Sequence, residues 1–237
     1  MKNIILTLIL VMLSACQVSI GKPPVTGEPP VDPCAEVVVQ EAHVWVDYHL
    51  PEGSLNIRID DQRSPEAIQQ TPINYKALNG MQTQLTFSAT KGDFVFKIKE
   101  DGDPASGWLG LAQIQLLGSH IISATVSMNT SLLQDYADEV LAHVLTQELL
   151  HLVGLGHQRQ AVPPSAMDDC QGRAGYSEWL ACLSDPLGVG PNQHDIDQII
   201  KIYLHVEDPP VPGNPPAECA QDLTIHATPA IWNAGSD

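Results

Sequence analysis

Residues 94–99, FVFKIK, alternate apolar and polar positions with a period of two, the pattern of a half-buried strand. Similar β-rich runs surround it. Residues 37–48 (VVVQEAHVWVDY), 109–117 (LGLAQIQLL) and 121–128 (IISATVSM) predict strands, and residues 75–88 mix helix and strand character. The period then changes. Across residues 135–153 the apolar positions Val140, Leu141, Val144, Leu145, Leu149 and Leu152 recur at helical spacing. Asp135, Asp138 and Glu139 stand near the start, where the helix dipole favours negative charge, and Gly154 supplies the stop. A second helix is predicted over residues 193–204 (QHDIDQIIKIYL), after Pro191 and Asn192. Strands first, a long helix, an irregular stretch and a closing helix predict a mixed α/β or α+β domain.

The two ends follow other rules. Lys2, the apolar run IILTLILVML (residues 4–13) and the small residues before Cys16 read as a signal segment, 1–15, too short to span a bilayer stably. The lead-in to Cys16 resembles the lipobox of bacterial lipoproteins, which implies cleavage before Cys16 and its acylation. The expected location is the cell envelope, on its periplasmic or outer-surface face, with the outer membrane favoured. Residues 16–34 and the start of 208–237 are Pro-rich, hence stiff spacers, leaving 35–207 as the folded domain. Beyond Cys219 the chain reads as a tail or a lone added strand.

A net charge of −17 over 237 residues argues against nucleic acid as a partner, because both surfaces would be negative. Of five cysteines, setting Cys16 aside leaves Cys34, Cys170, Cys182 and Cys219, an even number in a disulfide-permissive compartment. Cys170 with Cys182 is the expected local pair. Cys34 and Cys219 sit in flanks that echo each other, PPVTGEPPVDPCA and PPVPGNPPAECA, so a bridge joining the domain's ends is plausible. Sequence alone does not choose among the three connectivities.

The candidate chemistry lies on the first long helix and just beyond it, in QELLHLVGLGH (residues 147–157). Gln147 and His151 are one turn apart on one face and can reach a common ion, with Glu148 beside them. A bend at Gly154 can bring His157 back as a third ligand. Three protein ligands and an open fourth position suit catalytic zinc, with Glu148 accepting a proton from the activated water. His143 lies roughly 12 Å of helix rise from His151, too far to replace Gln147, and reads as core or surface decoration.

This stretch resembles the metzincin metalloprotease motif H-E-x-x-H-x-x-G-x-x-H at Glu148, His151, Gly154 and His157, and departs from it at Gln147. Ser165-Ala166-Met167 resembles the family's Met-turn, while HIISATVSMNTS and PNQHDIDQIIKIY resemble the flanking elements of matrixins. The resemblance implies an α+β domain, an α/β sandwich. Its twisted, mostly parallel five-stranded sheet would carry two long helices and a small lower subdomain. It also implies a metalloendopeptidase with Glu148 as general base and Gln147, His151 and His157 on Zn2+. The substrate would be a peptide or protein, bound extended along an edge strand that includes Leu111, Ala112 and Gln113.

Gln147 offers a neutral amide oxygen, a weaker donor than imidazole, so Cu2+ is an alternative ion. The competing function is a catalytically dead metzincin-fold lipoprotein that binds peptides or surfaces. The acidic segment KEDGDPASGWLG (residues 99–110) reads as a solvated turn, with Ca2+ as the other reading. Oligomeric state is not encoded in any pattern found.

Overall fold

The computed structural model describes residues 48–51, 55–103, 105, 107–158, 164–168, 170, 173, 176–186, 188–204 and 220–225. The expectations for the signal segment, Cys16, Cys34, Cys219 and both Pro-rich spacers lie outside these residues, as does the strand over 37–48 apart from Tyr48, which is in no strand. Among the described residues no helix is long and apolar enough to cross a membrane.

The chain forms an α+β domain around a mostly parallel sheet. Strands β1 (Asn56–Asp61), β2 (Thr86–Ser88), β3 (Phe94–Asp101), β4 (Gly110–Leu117) and β5 (His120–Asn129) stand in the order β2-β1-β3-β5-β4. β1, β2, β3 and β5 run parallel, and β4 runs antiparallel to β5 as the partner in a tight hairpin through Gly118. The alternation in β3 is realised as read: Phe96 and Ile98 are buried while Lys97 and Lys99 face out.

One strand more is present than the five expected. β6 (Ala220–Ile225) adds antiparallel to β4, making a six-stranded sheet. An uncovered β4 edge would expose a row of backbone donors and acceptors, and β6 satisfies them.

Among the described residues, six helices complete the domain. Two short ones, α1 (Pro65–Gln70) and α2 (Tyr75–Gly80), are capped by Ser64 and Asn74, whose side chains accept from Ala67 N–H and Ala77 N–H. The mixed character of residues 75–88 resolves into α2 followed by β2. A four-residue turn, α3 (Thr130–Leu133), leads into the long α4 (Asp138–His151), after which come α5 (Tyr176–Leu183) and α6 (Gln193–Leu204). α4 starts later than periodicity predicts, because Gln134 and Tyr136 donate backwards to Thr130 and Leu133 and close off α3.

α4 packs on β4 and β5 with one side and on α5 with another. Its polar residues His143, Gln147, Glu148 and His151 are consequently as buried as its leucines and valines. Phe96, Ile98, Ala112, Val126, Val144 and Leu149 belong to one continuous core, about which the catalytic candidates are arranged.

Candidate active site

The turn after α4 is set by backbone chemistry. Gly154 has φ +98°, its N–H donates to His151 O (3.0 Å), and Leu155 N–H donates to Leu150 O (3.3 Å). These two bonds form a Schellman motif, with the buried Leu150 and Leu155 as its apolar contact. A Cβ on residue 154 would fall 2.7 Å from Tyr48 O, so both the dihedral and the space require glycine.

The turn fixes His151. Its Nδ1 lies 2.7 Å from Leu155 O, and a carbonyl can only accept, so Nδ1 carries the proton and Nε2 keeps its lone pair. His157 Nε2 is 3.0 Å from His151 Nε2. Burial, reinforced by the charge of His157 and opposed by the Leu155 carbonyl, holds the His151 imidazole well below its ordinary value. His151 is therefore neutral at neutral pH, the state a metal requires.

Gln147, Glu148 and His151 are all fully buried. Gln147 and His151 share one helix face by their spacing, and Glu148 projects beneath β4, where a Cβ on Gly110 would stand 2.7 Å from Glu148 Cγ and 3.0 Å from Oε1. Tyr48 donates to His151 O at 2.6 Å, pinning the last turn of the helix. Its own phenol is raised well above its usual value by burial, then by Tyr203, then by Glu148.

Met167 is buried and joined through its backbone to the residue that follows His157. Gln158 N–H, one residue past His157, donates to Met167 O (2.6 Å), and Met167 N–H donates to Ser165 Oγ (3.0 Å). Buried Asp195 ties the turn to α6: its carboxylate accepts from Ser165 Oγ, from Gln158 Nε2 and from Asn192 N–H (2.9 Å). Burial raises the Asp195 carboxyl against the pull of these donors. His143 closes the group from the other side, with Nε2 3.2 Å from Asp168 O. It is a structural tie between α4 and the Met167 turn.

Asp195 and Gln158 are not singled out by the sequence, although one signal points to Asp195, and Ser165 enters it only within the Met-turn resemblance. Asn192-x-x-Asp195 forms a reciprocal capping box, in which Asn192 Oδ1 accepts from Asp195 N–H (3.0 Å) while Asp195 accepts from Asn192 N–H. Tyr48 carried no signal of its kind.

The imidazoles of His151 and His157 suit a metal by donor chemistry, and Gln147 shares the helix face of His151 by its spacing. Two imidazole nitrogens on one tetrahedral zinc at about 2.05 Å would be about 3.3 Å apart, within a few tenths of an ångström of the separation found. The Leu155 carbonyl behind His151 is the orienting contact that such ligands use. A second cluster, Asp168, Cys170 and Cys182, also gathers ligand atoms, but its sulfurs are bonded to each other and Asp168 is ion-paired with Arg173 at 2.7 Å. It staples the stretch after Met167.

Leu111, Ala112 and Gln113 lie on β4 as expected, but β4 is not an open edge: β5 borders all three, and β6 pairs with Ala112 and Gln113 because the chain's later strand adds to that side. Asp101 and Asp103, in the acidic segment, accept from backbone N–H groups two residues ahead and so act as turn formers. A cleft of about 460 Å3 behind α4 is lined by Ala142, Leu145 and Leu149, which face away from Gln147 and His151. No protein-family model matches the chain, and no curated protein is significantly similar to it.

Proposed function

We propose that this chain is a metal-dependent endopeptidase of metzincin type, anchored to the cell envelope through Cys16, with zinc or copper held by Gln147, His151 and His157. The observation that carries the reading is the approach of His151 Nε2 and His157 Nε2 to 3.0 Å, at the end of a helix that also buries the Glu148 carboxylate. Gln147, Glu148 and His151 are buried on one helix and His157 is half-buried beside His151, a gathering of donor groups that a bound cation would use.

A cation bound there would supply Lewis acidity, acidifying a water and polarising a peptide carbonyl. Glu148 takes the proton from the attacking water and returns it to the leaving amine, which needs the unprotonated carboxylate first and the acid second. Leu155 O keeps His151 in the tautomer with Nε2 available. Gly110, lacking a side chain, lets the β4 backbone pass close to Glu148, and it lies two positions before the stretch of β4 that pairs with β6.

A second reading is supported by Gln147. A neutral amide where an imidazole is expected weakens the site, and a domain that had lost its ion would bind peptides without cutting them. Metal analysis of the protein purified without chelators separates the two. The enzyme reading expects one equivalent of zinc or copper at neutral pH, and cleavage of a casein substrate that Glu148→Ala abolishes while the metal stays bound. Protein that takes up neither ion when supplied with it leaves only the binding module.

A further inference from the structure

We propose that β6 is a built-in competitor for the peptide-binding edge of β4, so that an extended substrate gains this edge only by displacing residues 220–225. The inference rests on the reading of β4 as the rim of a peptide cleft. It adds a control element carried by the chain itself.

β4 begins at Gly110, directly against Glu148, and runs away from it toward Leu117. Along its whole length one edge is taken by β5. The other edge is where an extended chain can add, using the strand's remaining N–H and C=O groups. β6 is on that edge. Its register is continuous over six residues, from Ala112↔Ile225 to Leu117↔Ala220, and antiparallel. Ile225 ends two positions from Gly110, about 7 Å along the strand. From Ala112 onward, the groups that would hold a peptide on its way to the carboxylate therefore already hold part of the protein.

The occupant is tethered, which makes it a strong competitor for its size. α6 ends at Leu204 and β6 begins at Ala220, so 15 residues link them. A short tether gives an effective concentration on the order of millimolar, and a free peptide must bind better or be present at a comparable level. Six backbone pairs with a single charged residue, Asp222, are also few enough to exchange. The arrangement suits an enzyme that must stay quiet until a long or locally concentrated substrate arrives.

The test uses the full chain. In an antiparallel strand, N–H groups point alternately to either side, so Leu223→Pro with Thr224→Pro removes at least one donor facing β4. Leu223→Val with Thr224→Val keeps the strand and serves as the control. In a Glu148→Ala background, binding of a fluorescein-labelled Ala-Gln-Asp-Leu-Thr-Ile peptide is read by anisotropy. The proline variant is expected to bind at least tenfold more tightly than the control and the parent. Equal affinities in proline variants that keep their near-UV circular dichroism overturn the proposal.

Hydrogen exchange on the unaltered sequence gives an independent reading if the proline variant does not fold. Millimolar hexapeptide is expected to speed exchange of amides 220–225, and unchanged rates overturn displacement. With Glu148 restored and zinc supplied, peptide cleavage separates this idea from the one beneath it. Cleavage equally fast with and without the prolines removes the competitor and leaves the protease. Tighter peptide binding without any cleavage removes the protease and leaves the competitor.

Discussion

Leu155 O receives the Nδ1 proton of His151 across the turn at Gly154, a 2.7 Å contact that makes the orientation of the first imidazole depend on the backbone that delivers the second. Gly154→Ala tests this dependence. The new methyl group would meet Tyr48 O at 2.7 Å in a left-handed conformation, so stability to urea should fall by about 2 kcal/mol or more. Zinc affinity, measured by competition with a chromophoric chelator, should fall with it. Unchanged affinity would separate the turn from the ligand geometry.

Gln147→His replaces the amide with an imidazole at the position one turn before His151. Zinc affinity should rise by more than about tenfold, a larger effect than that of losing an orienting contact. Titration against the same chelator reads it. No gain would mean that residue 147 does not reach the ion.

The spacing that made these residues visible in sequence is the geometry of one helix and its stop signal, encoded locally. Gln147, Glu148, His151 and Gly154 needed no knowledge of the rest of the chain. β3, β4, β5 and α6 were legible for the same reason, because their periodicity is read within a window of ten residues. β1 was not: only Ile57 and Ile59 alternate, between Asn56, Arg58 and Asp60, and its place between β2 and β3 is decided by partners far along the chain. α1 and α5 are too short to show a clear period. The pairing of β6 with β4 is the extreme case, since Ala112 and Ile225 share a register that no local pattern records.

Asp195 should matter more to stability than its absence from the ligand set suggests. Asp195→Ala leaves Ser165 Oγ, Gln158 Nε2 and Asn192 N–H without their buried acceptor, a loss of about 3 kcal/mol in urea unfolding. Asp195→Asn, which keeps one acceptor oxygen, should lose less. A neutral alanine variant would show that water replaces the carboxylate.

His143 gives the fold an acid limit. Burial, opposed by the Asp168 carbonyl and by the Asp168 and Asp185 charges, lowers its imidazole to about 4 from 6.5. Between those values the unfolded chain binds a proton that the folded chain refuses, so stability falls as pH drops from 6.5 toward 4 and is unaffected above. The difference of about 2.5 pH units amounts to about 3 kcal/mol at the acid end. His143→Gln retains a donor for Asp168 O and should flatten this part of the stability profile in thermal melts across pH 4–7. An equally steep profile would assign the acid sensitivity to other groups.

The order of events in synthesis gives the β4–β6 pairing a further meaning. β4 can find β5 as soon as the hairpin through Gly118 is made, because their partners are close in the chain. The other side of β4 has to wait until residues 220–225 have been made, 113 positions after Ala112 in the case of Ile225. Closing so long a loop is slow, and a bare strand edge invites pairing with other chains in the meantime. The last strand is thus a completion signal: a chain that breaks off before residue 220 lacks it, and carries β4 with its outer edge open.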